Sequence, residues 1–310
     1  MLRNWNIMQF SVNKIHLEKC PMCGSVHLQP FLSCTDCYAT GETFEVLQCA
    51  DCGFKMTQDV PVEAEIGRYY ESPDYISHTN TKKGVMNTVY HWVRKYQLHK
   101  KAKLVERACG KRSGRMLDIG TGTGYFVNTM YQRGWDVEAV EKSAQARAFA
   151  FDNFGLNVLD DTKLNDFEDQ SFNLITMWHV MEHIEHLDDL WETLKRELMD
   201  GGKLVVAVPN CASADAQRYK SFWAAYDVPR HLWHFTPSTM QAMANKHGFT
   251  ICERHPMPFD GFYVSMLSEK YMGRNFTFIR GMFTGFLAWC SALAQKDKSS
   301  SMIYILRKKE

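Results

Sequence analysis

The sequence has no unbroken apolar run of the roughly 20 residues that a bilayer crossing requires. Its most apolar late stretch, Phe276 to Ala294, is interrupted by Arg280, Gly281 and Gly285, which predicts a buried or interfacial helix and no transmembrane segment. Arg3 is not followed by an apolar core and a small-residue cleavage site, so no secretory leader is expected and the chain is assigned to the cytoplasm. Net charge is nearly absent as well. Thirty-six basic side chains against 35 acidic ones leave +1, and no global field draws the chain to nucleic acid or an anionic membrane. Internal repeats and low-complexity segments are also missing. What remains, at 45% hydrophobic and 23% charged over 310 residues, is a globular profile long enough for one large domain and a smaller one.

Three regions read differently. Residues 14–60 are cysteine-rich, with Gly24, Gly41 and Gly53 as turn signals. Residues 61–112 are polar and aromatic and read as a helical linker or lid, with Val85, Val89, Trp92, Val93 and Tyr96 at helical spacing. From about residue 113 to the end, strands alternate with helices, the rhythm of a parallel-dominated α/β sheet. Arg115–Ile119, Val137–Val140, Phe172–Met177, Lys203–Val208, Phe249–Arg254 and Met302–Leu306 read as strands. Leu187–Met199 reads as a helix closed by Gly201 and Gly202, and Thr236-Pro237 as a helix start.

In such sheets ligands bind beyond the carboxyl ends of the strands. The first strand ends in Asp118-Ile-Gly120-Thr121-Gly122-Thr-Gly124-Tyr125, where glycines let the backbone approach a ligand closely. The spacing is G-x-G-x-G, not the G-x-G-x-x-G of dinucleotide sites. Asp118 would repel a pyrophosphate but could receive the ammonium group of a methionine tail. That charge logic favours S-adenosylmethionine over a nicotinamide cofactor. Glu141 ends the second strand about twenty residues past the first glycine, where an acid takes ribose hydroxyls. Asp160 and Asp161 follow the apolar run Gly155–Leu159, and one of them, with Asp161 the choice, is placed at the adenine; Trp178 and His179 wall the cofactor.

On these residues, 114–255 resemble the class I S-adenosylmethionine-dependent methyltransferases: Met116–Gly124 their first motif, Glu141 the acidic strand end, Phe172–His183 the fourth-strand motif and Leu198–Asn210 the region after it. Asn173 stands where the family more often has aspartate. The resemblance implies a Rossmann-like sheet of seven strands whose last, Met302–Leu306, is antiparallel. More narrowly, the layout is similar to bacterial methyltransferases with an N-terminal cysteine module, the Tyr69-Tyr70…Tyr75-Ile-Ser-His78 segment and Asp227-Val-Pro-Arg-His-Leu-Trp-His-Phe235.

Cys20-Pro-Met-Cys23-Gly and Cys49-Ala-Asp-Cys52-Gly read as paired knuckles of a zinc-ribbon-like module, each setting two thiolates on one turn. Cys34 and Cys37 share the spacing without the glycine and are expected to be spare, with replacement of one pair as the alternative. Cys109, Cys211, Cys252 and Cys290 are assigned to packing.

Methyl transfer needs an acceptor held in line and a group to take its proton. An insertion around 211–236 would sit over the cofactor mouth, and His231 ranks first as that group, then His183 and His234. Trp223, Tyr226 and Trp233 would form a lid over the site or simply pack in the core. The function expected is methyl transfer to oxygen, nitrogen or carbon of a small molecule or a glycan or lipid precursor. Two alternatives stand beside it. One is RNA methylation, using the cysteine module and the run from Lys82 to Arg115, where eleven basic residues face the single acid Glu106. The other is a non-catalytic S-adenosylmethionine-binding module.

Overall fold

A computed structural model describes residues 13–70, 85–257 and 259–309, plus the backbone of a helix from Val85. Tyr75, His78, Lys82 and Lys83 and the side chains of Val85, Val89 and Trp92 lie outside what is described. The N-terminal strands are β1 (Lys14–Ile15), β2 (Leu28–Thr35), β3 (Thr43–Cys49), β4 (Lys55–Thr57) and β5 (Val60–Pro61). After α1 (Val85–Cys109) the alternation begins: β6 (Arg115–Ile119), α2 (Tyr125–Tyr131), β7 (Asp136–Val140), α3 (Ala144–Phe154), β8 (Phe172–Trp178), α4 (Leu187–Glu197) and β9 (Leu198–Pro209). Then come α5 (Ala214–Tyr219), β10 (Trp233–His234), α6 (Pro237–Lys246), β11 (Phe249–Pro256), α7 (Asp260–Tyr271), α8 (Thr277–Ala294) and β12 (Ser301–Lys308).

The main sheet runs β11-β12-β9-β8-β6-β7. Strands β7, β6, β8 and β9 are parallel, and β12 is antiparallel to both of its neighbours. The apolar runs of β6, β8 and β9 are buried on both faces, as central parallel strands must be. The chain leaves β6 for β7 on one side and returns to β8 on the other. That reversal is the crevice where an open sheet takes its ligand.

The strand count is six, not seven. The run Gly155–Leu159 is reduced to one parallel bridge, Leu159 to Val140. Gly155 turns the chain left-handed at the end of α3, and the Asp160 carboxylate caps a 3-10 turn beginning at Asp161, so only one residue is free to pair. Helix α4 also stops earlier than expected, at Glu197, and Gly201 and Gly202 lie inside β9. Asn173, the departure from aspartate, ties two strand starts by accepting from the Arg115 amide at 3.1 Å. The helix starts follow the caps: Ser143 accepts from Ala146 N, and Thr236 and Thr239 form a capping box over Pro237.

The cysteine module is not a separate bead. Its sheet runs β10-β4-β3-β2, so a strand of the 211–236 insertion completes it. Trp223, Tyr226 and Trp233 are at most 4% exposed, and the first two pack with Cys34, Phe44, Val46 and Tyr69 in a second core. Packing is therefore what those aromatics do, and they form no lid. Helix α8 is long and apolar enough to cross a membrane by length and composition, yet it lies along α7. Gly281 and Gly285 meet Met266 and Phe262 there, so closely that a β-carbon would clash with backbone. Its Phe278, Ile279 and Phe283 are exposed, so the helix is not buried. Cys211 is buried and Cys109 half-buried, whereas Cys252 and Cys290 are exposed and do not pack the core.

Candidate active site

The cofactor loop follows β6. Gly120, Gly122 and Gly124 all have positive φ, which a side chain would oppose, and a β-carbon on Gly120 would strike Val180. Across the crevice Glu141, at the end of β7, accepts from the Gly122 amide at 2.8 Å and the Ser143 amide at 2.8 Å. The second-strand acid thus grips the first-strand loop directly. Asp118 is 1% exposed and accepts from the Thr176 hydroxyl on β8. Burial pushes its carboxyl up to about 6, with the Thr176 hydrogen bond and Lys101 opposing that rise. Asp161 lies at the start of the turn after the Leu159 bridge, and burial and Asp160 raise its carboxyl. Tyr125 opens α2 with its ring under the Arg94 guanidinium at 3.8 Å.

The opposite wall comes from the residues after β8. His179 takes a left-handed φ of 60°, and its amide donates to Ala207 at 2.9 Å. Its Nε2 lies 3.2 Å from Asp260 Oδ2 and its Nδ1 lies 3.4 Å from Glu182 Oε1. Both ring nitrogens face carboxylates, the arrangement of an imidazolium. Burial opposes the charge, but Asp260 and Glu182 outweigh it and push the pKa up to about 9. Lys101, from α1, holds its ammonium 4.1 Å over the Trp178 ring, with Asp260 and Asp118 as its charge partners. Trp178 also meets Phe126 edge-on at 5.2 Å.

His183 and His231 come together, with ring centroids 4.5 Å apart and edge to face. His183 Nδ1 donates to the Arg230 carbonyl and His231 Nδ1 to the Ala225 carbonyl, each at 2.9 Å. A carbonyl can only accept, so these bonds fix the tautomer and leave both Nε2 atoms as lone pairs. Burial and the neighbouring His231 drive His183 down to about 4. His234 is elsewhere: it sits on β10, its Nε2 2.9 Å from Thr57 Oγ1 and its ring against Tyr226. The three histidines are therefore two and one. Tyr70, from the segment before α1, reaches His183 Nδ1 at 3.4 Å.

In the cysteine module Cys20, Cys23, Cys49 and Cys52 place their sulfurs within 4.8 Å of one another. The cross pairs Cys20–Cys52 and Cys23–Cys49 are each 3.5 Å apart. A tetrahedral zinc thiolate site, with bonds of about 2.3 Å, has edges of about 3.8 Å, so the donor set fits that ion. Gly24 and Gly53 follow the pairs with φ of 75° and 74°, as each knuckle's turn requires. Cys34 and Cys37 lie outside this group. Cys34 is buried in the second core, where burial pushes its thiol up to about 12.

Sequence reasoning missed Lys101, Asp260, Glu182 as a carboxylate of the site, and Arg230. Arg230 is 4% exposed and joins three segments. Its guanidinium donates to Asp36 at 2.9 Å, to both Asp227 oxygens at 2.6 and 3.0 Å, and to the Tyr69 carbonyl at 2.7 Å. Only its place beside His231 could have flagged it.

A family model described as a methyltransferase domain matches residues 91–254. An uncharacterized methyltransferase of Staphylococcus carnosus is 28% identical over 107 residues, covering 34% of this chain and 52% of that protein. The chain thus spans about half the length of that curated relative. Among solved structures, Haemonchus contortus phosphoethanolamine N-methyltransferase 2 is 20% identical over 68% of this chain and 52% of that one, with a TM-score of 0.46. Geranyl diphosphate C-methyltransferase of Streptomyces coelicolor is 14% identical over 68% and 79%, with a TM-score of 0.46. The 1,6-didemethyltoxoflavin-N1-methyltransferase of Burkholderia thailandensis is 14% identical over 84% and 98%, with a TM-score of 0.48.

Arg230→Met leaves the buried Asp36 and the half-buried Asp227 without their cation. Breaking a buried pair of this kind costs about 3–5 kcal/mol. Urea unfolding should show the unfolding free energy falling by that amount, read as a lower midpoint at unchanged slope. A loss under about 1 kcal/mol would mean that water already screens the cluster.

Proposed function

This chain belongs to the methyltransferase-domain family, and on that premise we propose that it moves the methyl group of S-adenosylmethionine to a small-molecule acceptor or a glycan or lipid precursor. The observation that carries the reading is the carboxylate of Glu141 bonded to the Gly122 amide across the mouths of β7 and β6. It sets a glycine loop free of β-carbons beside an acid able to take ribose hydroxyls, with Asp118 buried at the loop's root. The negative charge of Asp118 serves the ammonium of the methionine tail. Trp178 and Tyr125 give the cleft apolar faces, and the turn at Asp161 lies on the adenine side.

In the transfer, the acceptor's lone pair attacks the methyl carbon, the carbon–sulfur bond breaks and its electron pair stays on sulfur, leaving S-adenosylhomocysteine. The acceptor gives up its proton where it carries one. The protein's part is to hold the two in line and to keep water out. The polar wall beyond His179 is where the acceptor docks, and the free Nε2 atoms of His231 and His183 are its basic nitrogens. His234 serves the cysteine module's sheet instead. A small acceptor is favoured over RNA because Arg94 and Lys101 turn from the basic run onto Tyr125 and Trp178 and are withdrawn from any phosphate-binding face.

We assign one structural zinc to Cys20, Cys23, Cys49 and Cys52. When bound, it supplies folding energy to a module too small to build much core. The module in turn holds the insertion: Thr57 on β4 donates its amide to the Leu232 carbonyl at 2.9 Å and its hydroxyl to the His231 carbonyl at 2.7 Å.

Glu141→Ala should weaken S-adenosylmethionine binding at least tenfold by calorimetry, on the order of 1.4 kcal/mol or more. Unchanged affinity would count against the site. The same measurement taken across pH tests Asp118. Its carboxylate is ionised above about 6 and neutral below, so affinity should hold at pH 7.5 and fall by up to about tenfold per pH unit below 6. A flat profile down to pH 5 would remove Asp118 from the ammonium's surroundings. Metal analysis of the purified chain should find zinc, one equivalent of which is lost after Cys49→Ser/Cys52→Ser; a metal-free wild-type protein that is fully folded would refute the assignment.

A further inference from the structure

Glu182, His183 and His231 offer one carboxylate oxygen and two imidazole nitrogens, all within 4.8 Å of one another. Glu182 is 0% exposed, and neither of its carboxylate oxygens makes a hydrogen bond within the protein. Its one ion-pair contact among the described residues, His179 Nδ1 at 3.4 Å, leaves the second oxygen with no partner. The His179 imidazolium faces Oε1 only, so the open place for a second cation is at Oε2, a buried carboxylate oxygen that is costly to leave unmet. The two histidines are prepared for one. Each Nδ1–H is spent on a backbone carbonyl, Arg230 for His183 and Ala225 for His231, so each Nε2 presents a lone pair. Imidazoles oriented by such carbonyl bonds are the usual outer shell of metal-ligating histidines. A single general base needs one imidazole, whereas here two imidazoles and a carboxylate each bring a ligand-type atom within 4.8 Å of the others. Asp227 Oδ2, 3.9 Å from His231 Nε2, adds negative potential at the same spot.

We propose that Glu182, His183 and His231 bind a divalent cation, separate from the four-cysteine site, with coordination positions left open toward the cleft. Two nitrogens and one oxygen suit a borderline ion such as Mn²⁺, Co²⁺ or Zn²⁺ more than Ca²⁺ or Mg²⁺. The site lies on the turn after β8 and on the insertion, which is the acceptor wall of the reading above. Resting on that reading, with the metal in place of free Nε2 atoms as the group that makes the acceptor's proton easier to lose, the open positions would select acceptors that carry ligating oxygens, such as vicinal hydroxyls or a carboxylate.

The test is made on the full chain with its cysteine site filled with zinc, and without cofactor or acceptor, so failure here leaves the methyltransferase reading untouched. Titration with Mn²⁺ alone, followed by electron paramagnetic resonance, should show one bound ion per chain. Pulsed spectra should carry nitrogen coupling from imidazole. Co²⁺ should add visible bands lacking the near-ultraviolet thiolate charge transfer that marks the cysteine cluster. Glu182→Gln and His231→Gln should each weaken Mn²⁺ binding by more than about tenfold, with folding confirmed by circular dichroism. Absence of Mn²⁺ and Co²⁺ binding to the zinc-filled wild-type chain would overturn the proposal. So would bound Mn²⁺ without nitrogen coupling, a reading that needs no variant to fold.

Discussion

The guanidinium of Arg230 is the constraint on which the acceptor wall depends. Three parts of the chain converge on it: the turn at Asp36, the segment ending at Tyr69 and the insertion carrying Asp227. None of these is a strand of the main sheet, and the segment at Tyr69 is only a short 3-10 turn (Ile66–Tyr69), so none is placed by the sheet's own hydrogen bonds. A planar fork with five donors can meet several acceptors at fixed angles, and here four bonds to three segments use that geometry. A lysine would present a point charge and could not hold the same set. Because the Arg230 carbonyl in turn accepts from His183, the orientation of that ring is inherited from the fork.

The cysteine module finds its purpose in the same neighbourhood. Strand β4 lies between β3 and β10, so the knuckle strands and the insertion form one sheet. On the insertion's other side, the Leu232 amide donates to the Glu182 carbonyl at 2.8 Å. Order therefore passes from the cysteine cluster through β4 to residues 231–234, and from there to the turn after β8. A loop of this length would be mobile on its own, and a strand pairing plus buried hydrogen bonds is what makes it a wall. Thr57, with three hydrogen bonds to the insertion, is the hinge pin of that path.

What was legible in the sequence divides along physical lines. Strands buried on both faces announce themselves as apolar runs, and glycine at G-x-G-x-G spacing announces a close turn, so the sheet and the Asp118–Glu141 crevice could be read directly. The four zinc-type cysteines were legible because two thiolates on one turn leave a spacing mark. The missing seventh strand was not, because Gly155–Leu159 has a strand's apolarity and only the cap at Asp160 cuts it short. Lid and core packing stayed open for the aromatic insertion because Trp223 and Tyr226 pack onto β2 and β3, contacts made over more than 170 residues that leave no local periodicity. Lys101 and Asp260 were invisible for the same reason. One is a lysine in a run of solvated ones and the other opens a helix, and only the fold sets both beside Trp178 and His179.

The charges around the crevice explain why so polar a wall can serve this reaction. Asp118, Asp260 and Glu182 are three acids, and Lys101 and the His179 imidazolium are two cations, so the ionised wall carries one excess negative charge. In the proposed transfer the methionine ammonium would answer that charge and stay ionised throughout. The sulfonium does not. It begins positive and ends neutral, so uncompensated carboxylates near sulfur would stabilise the reactant more than the transition state and slow the transfer. Pairing both ring nitrogens of His179 with carboxylates neutralises those acids locally. The left-handed backbone at His179, a conformation that costs energy for a side chain of its size, is the local strain that this placement demands.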